Sequence, residues 1–295
     1  MNPFPPDVLL ITVNYRRADS TAQFLESASA LEGFRAVHVL VVENGSADGS
    51  AEKLRPIVAR FGNVELLESS VNLGYFGGAN WALQQYLAKA PQPDWVIVCN
   101  NDILFDQRDL MLRLLDRDPR TVGVVAPAIV ASGTGADCNP FLYERPSAWQ
   151  VLRYRFWISN YYCAALQQLL SPYVRILRHQ LNSWLRKPPS GQYGPVYAAH
   201  GSFLIFSRAY FESGGYIDDG FFLYAEEFTV AEICLRLGLT VSYDPSLRVS
   251  HDAHQATGRW PNRAICKHAK QGLNYAFQKY FLQGNASQPA PFRRG

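Results

Sequence analysis

The stretch WVIVCNNDILF, residues 95–105, decides the predicted fold. Four of its first five residues are β-branched or bulky and apolar, which is typical of a strand buried on both faces of a sheet. The run then ends abruptly in Asn100, Asn101 and Asp102. A turn is one interpretation, because Asn and Asp bond their own backbone and tolerate unusual dihedral angles. A ligand site is the other, since open α/β sheets bind ligands at their strand ends and an Asp there can hold a metal.

Apolar runs and helical segments alternate along the chain before this stretch. The apolar runs are DVLLITVNY (7–15), AVHVLVVENGS (36–46) and VELLES (64–69). The predicted helical segments are residues 20–31, 50–61 and 78–89. Strands that alternate with helices predict an α/β fold, in which a parallel sheet is covered by helices on both faces. The ligand crevice of such a sheet lies outside the C-terminal ends of its strands.

Polar residues follow each predicted strand, and four such ends on one edge predict a binding site. The loop NLGYFGGAN, residues 72–80, follows the third strand; its glycines let backbone approach a ligand, and the next helix N-terminus suits an anion. The acid after the second strand, Glu43, would suit contact with a nucleotide base or ribose. The acid after the fourth strand, Asp102, would suit a metal-bound diphosphate. The residues that we expect to contact a bound nucleotide are Thr12, Asn14, Tyr15, Glu43, Asn44, Asn72, Gly74, Gly77, Gly78, Asn80, Asn100 and Asn101.

Four segments in this order, ITVNYRR, VVENGSADGS, NLGYFGGAN and VCNNDILF, resemble the nucleotide-sugar half of family 2 glycosyltransferases. The match is to the rhamnosyltransferase-like members; it covers about residues 7–130 and resumes at about 197–275. The resemblance implies the GT-A fold, a mixed, mostly parallel central sheet flanked by helices. It also implies that Asp102 holds Mg²⁺ or Mn²⁺. The family carries an Asp-x-Asp motif at this place, and here the first Asp is replaced by Asn100, so Asp102 is its one acid. Glu43 stands where the family usually has an Asp that contacts the nucleotide base.

A pair of acids in FFLYAEEF, residues 221–228, is the candidate catalytic group. Apolar residues recur at helical spacing after them and Gly238 is a plausible stop, so Glu226 and Glu227 begin a helix. Acids in a first turn commonly do no more than complement the helix dipole. The segment also resembles the family's acidic pair, whose second carboxylate is the catalytic base. That position is Glu227, one methylene longer than the family's Asp, and Glu226 is the possible substitute.

His251 follows the short predicted strand SLRVS, residues 246–250. A lone histidine is more often a packed or surface residue than a ligand. The resemblance implies that a His after this strand completes the metal or diphosphate site, and RVSHDAHQATG fits that pattern. His254 is a neighbour that competes for the assignment.

Residues 148–187 have no counterpart in the resemblance. They contain six Lys and Arg, eight aromatic residues and no acid, and apolar residues recur at helical spacing from Trp149. This composition predicts a helical insertion that lies on an anionic membrane surface. A helical insertion packed over the acceptor site, or buried in a homodimer, is the equal alternative.

The resemblance and the insertion together suggest a division of the chain. We predict a nucleotide-sugar half at 1–126, an acceptor half at 127–259 that includes the insertion, and a C-terminal helix and tail at 260–295.

Composition narrows the class of protein. The net charge of +3 over 295 residues is too small to indicate nucleic acid. Five cysteines without a CxxC pair indicate neither a disulfide framework nor a zinc site, and reduced cytosolic thiols are the simplest interpretation. No basic region precedes an apolar stretch at the start, and no apolar run is long enough to span a bilayer. We therefore expect a cytoplasmic protein, with a peripheral position on the inner face of the membrane if residues 148–187 bind lipid.

The resemblance implies that the chain is an inverting, metal-dependent glycosyltransferase. It would move a sugar, with rhamnose from dTDP-rhamnose as first choice and UDP-sugars next, onto a hydroxyl of a bacterial surface polysaccharide or lipid-linked glycan precursor. One alternative is a sugar-nucleotide pyrophosphorylase, although TVNYRRADS after strand one lacks the expected glycine. The other is a nucleotide-sugar-binding or membrane-adaptor protein without catalysis.

Overall fold

The apolar runs of the first hundred residues form the strands that the sequence predicts. The computed structural model of the chain describes residues 7–159, 162, 192–252 and 263–282. The strands are β1 (Val8–Asn14), β2 (Val37–Asn44), β3 (Val64–Ser69), β4 (Trp95–Asn100), β5 (Ile103–Leu104), β6 (Val124–Ala131), β7 (Gly194–Val196), β8 (Phe203–Ser207) and β9 (Val241–His251). The α-helices are α1 (Ala18–Ser29), α2 (Ser50–Val58), α3 (Tyr75–Leu87), α4 (Leu110–Leu115), α5 (Ala148–Ser159), α6 (Arg208–Glu212), α7 (Glu226–Leu237) and α8 (Arg263–Ala276). A 3₁₀ turn, Phe34–Ala36, precedes β2, and a π-helix, Phe277–Leu282, follows α8.

All described strands belong to one mixed sheet in the order β3-β2-β1-β4-β8-β6-β9-β5, with β7 paired to β9. The long ladders are parallel: β1 with β2 and β4, β2 with β3, and β6 with β9. The shorter ladders, β4–β8, β6–β8, β5–β9 and β7–β9, are antiparallel. The predicted α/β fold with a mixed, mostly parallel sheet is confirmed.

Alternate residues of the central strands pack on opposite faces of this sheet. Leu9 and Ile11 of β1 belong to one buried cluster with Phe76 of α3. Leu10, between them in sequence, belongs to a second cluster with Phe24 of α1. Both faces are therefore covered by helices, which is why the central strands are continuous apolar runs. Each side chain of this size stabilises the fold by roughly 1.5–3 kcal/mol when fully buried.

Helix α3 begins three residues earlier than the sequence indicates, at Tyr75. Gly74 has a φ of +79°, and a Cβ added there would lie 2.4 Å from the carbonyl oxygen of Phe222. Only glycine accepts this left-handed turn and this close approach, so the chain enters the helix directly after it. Gly77, which precedes the predicted start of the helix, therefore lies inside the first turn of α3 together with Gly78.

Strand β9 is longer than the predicted segment 246–250, because it begins at Val241. Its parallel ladder with β6 has a register shift between Pro127 and Ala128. This irregularity takes up the unmatched residues of β9, so pairing continues on both sides of it. The extension brings His251 level with Ala131 at the end of β6.

The predicted helix after residue 148 is present as α5, and the rest of the 148–187 insertion lies outside the described residues apart from position 162. In α5, Trp149 and Phe156 are exposed, at 70% and 61%. Across the described ranges, each helix is too short or too polar to cross a bilayer.

The two predicted halves share the sheet. Strand β8, from the second half, lies between β4 and β6 and pairs with both. The division at residue 126 stays a prediction about ligand binding.

Candidate active site

The C-terminal ends of β1, β2 and β4 lie side by side at one edge of the sheet. In the β1–β2 ladder Asn14 is opposite Glu43, and in the β1–β4 ladder Val13 is opposite Asn100. Polar residues that are far apart in sequence are thus brought to one edge, where open α/β sheets bind ligands.

Asp102 and His251 meet where β5 pairs with the end of β9. The short β5–β9 ladder places Ile103 opposite His251, and the Asp252 amide donates a hydrogen bond to the Asp102 carbonyl oxygen at 3.1 Å. His251 Nε2 lies 3.1 Å from Asp102 Oδ1. That distance allows an ion pair, yet both carboxylate oxygens and both ring nitrogens lack a hydrogen-bond partner among the described residues. The two atoms are within ion-pairing distance but do not form a hydrogen bond, so the pair is a close contact whose hydrogen-bonding capacity is not satisfied. His254, the competing candidate, lies outside the described residues.

The Asp102–His251 pair fits a divalent cation. The two side chains are 5% and 8% exposed, and buried polar atoms without a partner are unfavourable unless something binds them. Carboxylate oxygen and imidazole nitrogen are both ligands for first-row metal ions, and carboxylate oxygen also suits Mg²⁺. In the part of the chain that the structure describes, no three or more His, Cys, Asp or Glu residues are grouped as a metal site. An ion held here would take its remaining ligands from water and phosphate oxygens, as Mg²⁺ commonly does.

Helix α7 begins with two carboxylates in different environments. Glu226 is buried, and its Oε2 accepts a hydrogen bond from the Ala225 amide at 2.8 Å. Burial, followed by the charge of Glu227, raises the pKa of Glu226 to about 8. Glu227 is half-buried, and its Oε1 accepts a hydrogen bond from the Gly201 amide at 3.1 Å. The raised pKa favours the protonated form of Glu226 at neutral pH, and Glu227 is the more accessible of the two.

Gly201, just before β8, contacts both acids and also Tyr75 of α3. A Cβ on Gly201 would lie 3.0 Å from Glu227 Oε1 and 3.1 Å from Glu226 Cβ, so glycine permits the close packing. The Tyr75 hydroxyl donates a hydrogen bond to the Gly201 carbonyl oxygen at 3.1 Å. Burial, followed by the charges of surrounding groups that include Asp102, raises the pKa of Tyr75 well above its usual range. The Tyr75 hydroxyl is therefore a neutral hydrogen-bond donor, and the charges of Asp102, Glu226 and Glu227 all act on it.

Asn44 and Asn72 build the loop between β3 and α3. Asn44 Nδ2 donates hydrogen bonds to Asn72 Oδ1 at 3.1 Å and to the Gly74 carbonyl oxygen at 2.9 Å. Asn44 Oδ1 accepts from the Leu73 amide at 3.0 Å, and Asn72 Oδ1 accepts from the Gly74 amide at 2.9 Å. These bonds fix the loop conformation and occupy the polar atoms of Asn44.

The remaining predicted residues of this loop attach α3 to its neighbours. A Cβ on Gly78 would lie 3.2 Å from the Val13 side chain, so the glycine allows α3 to pack closely on β1. The equivalent atom on Gly77 would lie 3.2 Å from Leu73. Asn80 Nδ2 donates a hydrogen bond to Asp219 Oδ2 at 2.9 Å, which ties α3 to the segment before α7.

Asn14 and Asn101 are joined through Thr21 of α1. Asn14 Oδ1 accepts hydrogen bonds from Thr21 Oγ1 at 2.9 Å and Asn101 Nδ2 at 3.3 Å. Asn14 Nδ2 is buried without a partner among the described residues. Thr12, at 0% exposure, would reach a ligand only if the end of β1 opened.

Glu43 and Tyr15 differ in how far they are open to a ligand. Glu43 is buried, and its Oε1 accepts a hydrogen bond from the Ser46 amide at 3.0 Å, which fixes the turn after β2. Tyr15 is 39% exposed, and the Arg16 guanidinium lies 5.1 Å from its ring centroid. The Arg16 amide donates to Ser46 Oγ at 2.9 Å, so the loops after β1 and β2 are connected.

His200 belongs to this site although the sequence analysis did not single it out. Its ring centroid lies 6.1 Å from that of His251, and its neighbour Gly201 binds Glu227. The signal that could have found it is its position just before β8. That strand runs antiparallel to β4, with Phe203 opposite Cys99, so its start lies beside the end of β4.

Comparison with known families agrees with this geometry. The sequence profile of Glycosyl transferase family 2 matches residues 9–213, and the chain belongs to this family. It is a glycosyltransferase, which disfavours both the pyrophosphorylase and the non-catalytic binding protein.

Relatives in sequence place the chain more closely within the family. It is 30% identical over 277 residues to the N-acetylglucosaminyl-diphospho-decaprenol L-rhamnosyltransferase of Mycobacterium tuberculosis, in strains CDC 1551 / Oshkosh and H37Rv. That alignment covers 90% of this chain and 82% of the relative. The chain is 24% identical to the low-salt glycan biosynthesis hexosyltransferase Agl10 of Haloferax volcanii, over 78% of this chain and 61% of the relative. The rhamnosyltransferase-like assignment within the family is therefore confirmed.

The fold is that of GT-A glycosyltransferases. The mannosyltransferase PcManGT from Pyrobaculum calidifontis, solved with GDP-Man and Mn²⁺, aligns with a TM-score of 0.55 and 16% identity, over 97% of this chain and 67% of that one. GalNAc-T7, solved with UDP, GalNAc and Mn²⁺, aligns with a TM-score of 0.55 and 14% identity, over 85% of this chain and 45% of that one.

Proposed function

We propose that the chain is an inverting, metal-dependent glycosyltransferase that moves a sugar from a nucleoside diphosphate to a hydroxyl of a lipid-linked glycan. The observation that carries this proposal is the buried Asp102–His251 pair, whose side-chain polar atoms have no hydrogen-bond partner among the described residues. The pair lies at the edge of the sheet where β1, β2 and β4 end, in a chain that belongs to glycosyltransferase family 2. Rhamnose from dTDP-rhamnose is the first candidate donor, supported by the rhamnosyltransferase relatives.

Glu227 is the proposed base. Burial and the neighbouring carboxylate raise the pKa of Glu226, which favours its protonated form at neutral pH, and a protonated carboxyl group is a poor base. Glu227 accepts the acceptor hydroxyl's proton as the acceptor oxygen bonds to the anomeric carbon and the carbon–oxygen bond to the diphosphate breaks. Attack from the face opposite the diphosphate inverts the anomeric carbon. The Gly201 amide holds the Glu227 carboxylate in place for this step.

Asp102 and His251 are the residues that would hold Mg²⁺ or Mn²⁺. A bound ion would neutralise negative charge that builds on the departing diphosphate. The unsatisfied atoms of both side chains support the assignment.

The predicted nucleotide contacts fall into two groups. The side chains of Asn44, Asn72 and Asn101 form hydrogen bonds within the protein. We therefore assign them a role in holding the shape of the donor site and no direct contact with the donor. Tyr15 is exposed, and Asn100 lies half-buried at the end of β4; we assign the direct contacts with the donor to such accessible side chains.

The proposed acceptor is a sugar on a polyprenyl diphosphate, supported by the name of the mycobacterial relatives. Such an acceptor is held in a membrane, and one face of α5 suits that surface. Trp149, Arg153 and Phe156 have the i, i+4, i+7 spacing of a single helical stripe, and all three are exposed. Aromatic and cationic side chains on one face are typical of helices that lie on anionic membranes. We propose a peripheral position at the cytoplasmic face on this basis.

Donor binding and transfer are tested in sequence. Thermal unfolding is measured with dTDP-rhamnose, UDP-glucose, UDP-N-acetylglucosamine and GDP-mannose, each with and without Mn²⁺. The true donor should raise the melting temperature by mass action, and more so with Mn²⁺. Each of the four donors is then incubated with N-acetylglucosaminyl-diphospho-polyprenol, and sugar transfer is followed by mass spectrometry. Equal melting temperatures for all donors under both conditions, together with no transfer from any of them, would refute the proposal.

A further inference from the structure

His200 lies close to both parts of the proposed catalytic machinery. On one side it faces His251, with ring centroids 6.1 Å apart and an interplanar angle of 63°. On the other, the adjacent Gly201 amide binds Glu227 Oε1 at 3.1 Å. If Asp102 and His251 hold the leaving diphosphate and Glu227 faces the acceptor, the group between them is the sugar being transferred.

The hydrogen bonds of His200 fix which ring nitrogen carries the proton. The Ser202 amide lies 3.2 Å from Nδ1, and a backbone N–H can only donate. Nδ1 is therefore an acceptor without a proton, and the Ser202 hydroxyl lies 2.9 Å from the same nitrogen. A neutral imidazole without a proton on Nδ1 carries it on Nε2.

Among the described residues, the hydrogen bonds of His200 involve its amide and Nδ1, and none involves Nε2. The backbone of His200 is held independently, because its amide donates to Asn139 Oδ1 at 2.7 Å. The ring packs edge-on near Phe141, with centroids 6.3 Å apart. A half-buried ring fixed through its backbone, its Nδ1 and its packing presents Nε2–H as a preset donor.

We infer that His200 donates a hydrogen bond from Nε2 to a hydroxyl of the transferred sugar and thereby helps to select the donor. The inference rests on the proposed function, since it requires the diphosphate at Asp102 and the acceptor at Glu227. It goes beyond that function by naming a residue that recognises the sugar and leaves the nucleotide untouched. A site built to bond a sugar hydroxyl disfavours donors that lack it, because the protein donor is then left unpaired.

Two substitutions of His200 by residues of similar size distinguish the hydrogen-bonding role of Nε2–H from the packing role of the ring. His200→Phe keeps an aromatic ring beside Phe141 but has no N–H, whereas His200→Gln keeps an N–H donor near the reach of Nε2. For the best donor of the four-sugar screen, His200→Phe should lower kcat/KM about tenfold, the effect of one lost neutral hydrogen bond. His200→Gln should recover part of that loss. The Kd for the free nucleoside diphosphate should be unchanged in both variants.

Selectivity is the measurement that a purely structural role would not move. The wild type should prefer its best donor over the other three by a larger kcat/KM ratio than His200→Phe does. Melting temperatures of the variants show whether they are folded. If His200→Phe is folded and keeps wild-type kcat/KM and selectivity, His200 does not contact the sugar, and the proposed function is unaffected. If both variants lose nucleoside diphosphate affinity equally, His200 serves the diphosphate site instead. If the wild type transfers none of the sugars, the proposed function fails and the assignment fails with it.

Discussion

Asp102 and His251 are brought within 3.1 Å of each other by an antiparallel ladder of only two residue pairs, Ile103 with His251 and Leu104 with Ser250. The two residues come from opposite halves of the chain. The ladder positions two side chains whose polar atoms have no hydrogen-bond partner among the described residues. A ligand can therefore bind them without first breaking a hydrogen bond within the protein.

Asp102→Asn should abolish the Mn²⁺-dependent part of nucleoside diphosphate binding and leave the fold intact. Removing a buried carboxylate without hydrogen bonds relieves desolvation, so the melting temperature without ligand should stay equal or rise. Calorimetry with and without Mn²⁺ measures the first effect and thermal unfolding the second. Asp106→Asn, a change of the same kind at an exposed acid, is the control and should keep the Mn²⁺ dependence. Identical Mn²⁺ dependence in Asp102→Asn and the wild type would remove Asp102 from the metal site.

Glu227→Gln should reduce turnover about 10²–10⁴-fold, the usual contribution of a general base. Donor affinity should barely change, because the amide keeps the shape and can still accept from the Gly201 amide. Initial rates of sugar transfer and donor Kd are the measurements. Glu226→Gln is the matched control, and its loss of turnover should be smaller. The opposite order, with Glu226→Gln the slower enzyme, would make Glu226 the base.

Glu226 should make stability depend on pH. Its pKa is raised from 4.5 to about 8 in the folded protein, so between these values the folded state holds a proton that the unfolded state has lost. Wild-type stability should therefore fall as pH rises through this window, and the penalty is complete above it. Glu226→Gln is neutral throughout and can still accept from the Ala225 amide.

The free energy of unfolding of Glu226→Gln, relative to wild type, should thus increase by up to a few kcal/mol between pH 5 and pH 9. Urea unfolding at both pH values measures it. A difference that does not vary with pH would mean that Glu226 titrates normally.

The exposed stripe of α5 should bind anionic membranes. Trp149→Ser combined with Phe156→Ser should reduce sedimentation with phosphatidylglycerol vesicles, and Arg153→Glu should reduce it further at low salt, where exposed charges are least screened. Leu112→Ser, at another exposed apolar residue, is the control and should bind as the wild type does. Equal sedimentation of the wild type with neutral and anionic vesicles would favour an insertion that packs on protein.

The strands and the polar edge could be predicted from the sequence because they depend on local patterns. Residues 95–99 are a continuous apolar run, and all five are fully buried in β4. Asp102, Glu227 and His251 could be named as candidates because their neighbours in sequence carry recognisable motifs, and their roles stay predictions. The start of α3 was misplaced because the turn at Gly74 depends on Phe222, a contact that sequence spacing does not reveal.

His200 and Tyr75 were missed as site residues for the same physical reason. His200 reaches the site because β8 pairs antiparallel to β4, and Tyr75 contributes through a hydrogen bond to Gly201. Both positions depend on contacts between segments that are distant in sequence, and hydrophobic periodicity carries information only about local structure. Conversely, the polar Asn44 was found readily, but its amide holds the loop in shape.

The placement of β8 between β4 and β6 has a consequence for synthesis on the ribosome. When residue 131 has emerged, β4 still has an open edge and β6 has neither of its sheet neighbours, because β8 and β9 are more than seventy residues further along the chain. The nascent chain must carry this unpaired edge until Ser207 appears, and such edges recruit other strands. We expect a fragment that stops near residue 131 to aggregate, and we expect an intact chain to depend on chaperones that bind during translation.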